Sequence, residues 1–94
     1  MTYDAFLEIS LYRELHDFLD QAAKQQNLYS RADAARGFVT RLEQANLVHG
    51  VIVEIHRSLT VLGRGKSVDP ALLAHHANAI KTAHPTAFGM RGAS

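Results

Sequence analysis

Cysteine is absent from this chain, and proline occurs only twice in 94 residues. Without cysteine there is no disulfide, no thiolate nucleophile and no sulfur ligand for a metal. A reducing compartment suits such a chain. Its opening, Met1-Thr2-Tyr3-Asp4, has neither the basic start nor the apolar stretch of a signal peptide, so a cytoplasmic location is expected. Long apolar runs are missing too. Val51-Ile52-Val53 stops at Glu54, and nothing approaches the ~20 apolar residues that a membrane-spanning helix needs. A strong charge of one sign is also lacking: the formal net charge is +1 and the pI about 8.2. Arg31, Arg36 and Arg41 recur at intervals of five, so they spiral and form no basic stripe. Nucleic acid is therefore not an expected partner.

Catalytic signatures are equally scarce. Ser10, Ser30, Ser58, Ser67 and Ser94 stand in no Gly-x-Ser-x-Gly context, and no His-Glu-x-x-His pattern occurs. The acids are spaced as an exposed helix face. No enzyme activity, cofactor or metal is expected. At 47% hydrophobic and 20% charged, the composition is that of an ordinary globular protein, enough for one domain with a modest core.

What the chain does have is helical periodicity. Between Ser30 and Leu62 no proline interrupts a row of apolar residues at spacings of three and four: Ala35, Phe38, Leu42, Ala45, Val48, Ile52, Ile55, Leu59 and Leu62. Ser30-Arg31-Ala32-Asp33 has the form of a capping box, which would start a helix at Arg31. Gly63 and Gly65 mark its end. The pattern predicts one helix over about 31–62, with Asn46 to Gly50 as the place where it would break. Such a helix would be roughly 48 Å long at ~1.5 Å per residue. A compact domain of this size has a radius of gyration of only ~13 Å. Its apolar edge would then need a partner, and Phe38, Leu42, Ala45, Ile52 and Leu59 are the expected seam of a homo-oligomer.

Two further helices flank this one. Leu11, Leu15, Phe18 and Ala22 form one row within about Tyr3 to Gln26, although Leu7, Ile9 and Leu11 alternate as a strand would. Asn27-Leu28-Tyr29 reads as a short connection. Asp69-Pro70 is an N-cap followed by proline at the first helical position, and His84-Pro85 closes the helix it begins, giving about 70–83. The sequence therefore predicts an all-α fold, a small helical bundle built on a helical hairpin with a long central helix. Residues 1–85 form its single domain, and 86–94 a mobile tail in which Phe88 and Met90 could anchor.

Charge and histidine supply the remaining candidates. Residues 1–20 carry Asp4, Glu8, Glu14, Asp17 and Asp20 against Arg13, whereas 56–94 carry Arg57, Arg64, Lys66, Lys81 and Arg91 against Asp69. Complementary halves within the fold account for this imbalance, and an anion site in the basic half is the alternative. Gly65-Lys66-Ser67 resembles the end of a phosphate-binding loop. Thr60 stands where that loop requires glycine, and the segment follows a helix where a strand is required. What survives is an anion-binding set of Arg57, Arg64 and Lys66, suited to a phosphate-containing small ligand. Among six histidines, His49 and His56 lie seven apart and would fall on successive seam positions, making association pH-sensitive. The function expected is that of a non-enzymatic helical binding module, an adaptor or inhibitor of another protein. The alternative is a protein that sequesters an anion or nucleotide through the basic 57–67 segment.

Overall fold

The computed structural model describes the backbone of residues 3–24 and 28–88, and the side chains of 8–24 and 31–88. Among the described residues every regular element is helical: α1 (Tyr3–Lys24), α2 (Leu28–Gln44), α3 (Ile52–Gly63), α4 (Pro70–Ala83) and a closing 3-10 turn, Pro85–Phe88. The protein is a small all-α bundle. Helix α1 packs along α4 and α2 along α3, with α3 and α4 in lighter contact and the 3-10 turn wedged against α1 and α4. None of these helices is long and apolar enough to cross a membrane.

The expected helix over 31–62 is two helices. It breaks at the weakest point of its pattern, and the hydrogen bonds there show why. Asn46 takes φ +57°, a left-handed conformation that asparagine tolerates better than most residues. Its N–H donates to Glu43 O at 3.1 Å, and the Leu47 N–H donates to Leu42 O at 2.9 Å. This is a Schellman cap, and it folds Leu47 back to 8% exposure against the core. Gly50, also at φ +57°, turns the chain a second time before α3 begins. Packing explains why the break wins. Closing the hairpin buries the apolar residues of both halves, at about 2 kcal/mol for each large side chain. The helical hydrogen bonds given up in the turn contribute only about 1 kcal/mol each. The longest dimension is 37 Å and the radius of gyration 12.9 Å, which leaves no room for a 48 Å rod.

The homo-oligomer seam falls with the rod. Leu42, Ile52 and Leu59 are fully buried within a single chain and Phe38 is 9% exposed, while Ala45 lies exposed in the turn. The stripe meets its own other half, so it provides no edge for a second copy. Other expectations shift as well. Helix α1 pairs with α4 and not with a central helix. Helix α2 starts at Leu28, so Ser30 lies inside it and does not cap it, and Leu28-Tyr29 is helix and not connection. Asp33 pairs with Arg36 one turn on. Residues 86–88 belong to the folded domain: Ala87 is buried and Phe88 packs against the core. Met90 and the rest of 89–94, like the end of the first helix at 25–26 and Asn27, lie outside the described residues.

The glycine-marked end of α3 and the whole of α4 match their sequence signals. Gly65 takes φ +79°, and its N–H reaches Leu62 O while Lys66 N–H reaches Val61 O, a second Schellman cap. Asp69 caps α4 by accepting from Ala71 N–H at 3.0 Å, with Pro70 following at the first helical position. Among the described residues, one acid of α1 pairs with a cation on another helix, and that cation lies outside the basic 56–94 stretch. Glu14 pairs with Arg41 of α2 at 2.9 Å, and this hydrogen bond holds its carboxyl below the usual range. Arg41 in turn lies over the Phe38 ring, which meets Phe18 of α1 at 5.3 Å.

Candidate functional site

A groove lies between α2 and α3, lined by Arg36, Val39, Thr40, Leu59, Thr60, Gly63 and Arg64. Val39 and Leu59 are its apolar lining, and Gly63 lets Arg36 reach its rim. A Cβ there would lie 2.8 Å from Arg36 Cγ, so the Arg36 stem crosses the end of α3 only over a glycine. The Arg36 guanidinium then donates to the Gly63 carbonyl at 2.6 Å and to Asp33. This closes one end of α3 with charge of the favourable sign. Arg64, the residue after α3, stands on the same rim, and Thr40 and Thr60 complete the walls. The groove has a volume of about 300 Å³. Chemically it offers apolar contact flanked by two guanidinium groups.

The expected anion set is not assembled. Arg57 is exposed and pairs with Glu54 on its own helix at 3.2 Å. Arg64 lines the α2–α3 groove, which neither Arg57 nor Lys66 lines, and Lys66 is exposed on the loop beyond. The histidine expectation fails for the same reason as the rod. His49 sits in the turn, off any helix, and His56 binds Glu43 across the hairpin at 2.8 Å. His16 and His84 do lie at the edge of the core, His16 edge-on to Phe88 and His84 stacked on Tyr12 at 4.2 Å. Tyr12 is almost wholly buried, its hydroxyl is shut off from solvent, and burial pushes its phenol up to about 12, with the nearby Glu8 adding to the rise. Among the described residues no three potential metal ligands cluster.

Three buried polar residues escaped the sequence reading: Arg31, Ser58 and His76. Ser58 Oγ and His76 Nε2 share a hydrogen bond of 2.8 Å across the α3–α4 contact. Burial holds His76 below its usual pKa, His75 adds to that, and Glu54 opposes it. A serine–histidine pair is the beginning of a nucleophilic site. Here it is sealed: both residues are under 10% exposed, and neither lines the α2–α3 groove. Its role is to fasten α3 to α4. All three residues stand on apolar stripes, Arg31 with Ala35, Phe38 and Leu42, Ser58 with Ile55 and Leu62, His76 with Leu73 and Ile80. A polar residue on an apolar stripe is the signal that could have found them. The chain matches no family model, no curated protein and no solved structure.

Proposed function

We propose that the chain is a non-enzymatic helical binding module of the cytoplasm. It acts as an adaptor or inhibitor by holding an acidic segment of another protein in the α2–α3 groove. The observation that carries this reading is the pairing of an apolar lining, Val39 and Leu59, with Arg36 and Arg64 on the rim. Such a groove takes an apolar side chain from a partner whose flanking carboxylate meets Arg64, while Arg36, held by Asp33 and the Gly63 carbonyl, adds positive charge to the rim. The anion-sequestering alternative through 57–67 draws less support, because Arg57 is already paired with Glu54. Self-association is not needed by this reading, and the stripe that suggested it faces inward.

The test uses a photo-crosslinking amino acid at Thr40, with the protein produced in its native host. A discrete crosslinked partner is expected, lost when Arg64→Glu reverses the rim charge. The same crosslinker at Asp17 on α1 should capture nothing in common with it. Capture that ignores Arg64→Glu, or that is equal from Asp17, contradicts the reading.

A further inference from the structure

Arg31 occupies a position that the apolar stripe of α2 would otherwise give to leucine. It is only 8% exposed, and burial holds its pKa below the usual arginine value. Among the described residues no carboxylate lies within ion-pair distance of it, and no acceptor within hydrogen-bond distance. A guanidinium set on an apolar stripe with no partner among the described residues is costly to the fold. Its nitrogens are nevertheless not sealed, since none of them is among the described side-chain atoms that are both shut off from solvent and partnerless. The place where Arg31 meets solvent is a cavity of about 310 Å³ between the end of α1, the start of α2 and the α3–α4 loop. That volume is at the lower end of the range for small-molecule sites. Leu62, Val68 and Leu73 give the cavity an apolar lining, and Ser67 and Asp69 are its other polar residues.

The chemistry of the walls narrows the ligand. Phosphate sites at a helix start use free backbone N–H groups. At α4 these are consumed: Pro70 has none, Ala71 N–H donates to the Asp69 side chain, and the Leu72 and Leu73 N–H groups donate to Asp69 O. The Asp69 carboxylate also repels a dianion more strongly than a monoanion. A guanidinium, by contrast, matches the planar fork of a carboxylate. We propose that this cavity binds a small monocarboxylate with a compact apolar body, its carboxylate on Arg31 and its body against Leu62, Val68 and Leu73. The site is separate from the α2–α3 groove and stands or falls independently of the function proposed for that groove.

Benzoate and hexanoate, titrated into the nitrogen-labelled full-length chain, test the proposal, with inorganic phosphate and benzylamine as controls. Saturable shifts of the Arg31 side-chain N–H and the Ser67 amide are expected with either carboxylate and with neither control. Arg31→Gln should weaken carboxylate binding by at least about tenfold, the worth of a charge-assisted hydrogen bond. Asp69→Asn keeps an N-cap side chain while removing the opposing charge, so it should tighten the carboxylates and admit phosphate. Where Arg31→Gln does not fold, Arg31→Lys, which keeps the charge and loses the fork, replaces it, and weakened binding is again expected. The proposal is overturned by the absence of saturable shifts with both carboxylates, by phosphate binding as well to the unaltered chain, by undiminished binding in the Arg31 variant, or by an Asp69→Asn variant no tighter than the original.

Discussion

Toward α2, helix α3 presents Leu59 and the bare backbone of Gly63; toward α4 it presents Ser58, hydrogen-bonded to His76. The first contact is apolar at its centre, with the His56–Glu43 pair at its edge, and is close enough for an arginine stem to rest where a side chain is missing. The second is lighter and held in part by a buried polar pair. The difference assigns them different sensitivities. Leu59, in the first contact, responds to volume, whereas the buried imidazole of the second responds to the proton.

The widest separation between the two is expected from volume. Leu59→Ala should destabilise the fold by about 3 kcal/mol, read from chemical denaturation, because the residue is fully buried and the hairpin has little room to collapse. Next comes pH. With His76 held below its usual 6.5 by burial, the folded state resists a proton that the unfolded chain accepts. Its contribution to stability is complete above pH 6.5 and is lost as pH falls through the range between the unfolded and folded values. The denaturation midpoint should therefore be lower at pH 5 than at pH 7.5. His76→Gln should flatten that slope, and Leu59→Ala should leave it intact; a slope unchanged by His76→Gln would break the comparison. Asn46→Ala keeps the β-carbon in a left-handed conformation but loses the short polar side chain that tolerates it, and should cost about 1 kcal/mol, whereas Asn46→Gly should be neutral or better. The smallest effects are of opposite sign. Gly37 lies in mid-helix with open space around it, so Gly37→Ala should stabilise by about 1 kcal/mol. Gly63→Ala meets Arg36 and should destabilise by about as much, measured by thermal unfolding.

The legible parts of the fold were those written in local chemistry. Asp69-Pro70 and Gly63 to Gly65 act through their own backbone geometry, and both mark their helix ends where the sequence puts them. Asn46 acts through the same Schellman geometry as Gly65, yet asparagine takes the left-handed form only when a following apolar residue such as Leu47 has a core to fold against. That condition is tertiary, so periodicity ran straight across the turn. The seam residues were recognised correctly as apolar, but one stripe cannot say whether its partner is another chain or its own far half. Ser58 and His76 stand 18 positions apart, and only the α3–α4 contact joins them. The basic 57–67 segment was legible as charge and misleading as a site, because local pairing with Glu54 withdraws Arg57.

The hairpin itself can be measured directly, and a chain without cysteine is well suited to it. Spin labels on Ala34→Cys and Arg64→Cys, both exposed positions, report the distance between the start of α2 and the end of α3 by pulsed electron resonance. Packed helix axes lie ~10 Å apart, so with the length of the labels a single population at about 25 Å or less is predicted. A population at about 45 Å, the span of 30 residues in one unbroken helix, would contradict the fold described and return the apolar stripe to the surface.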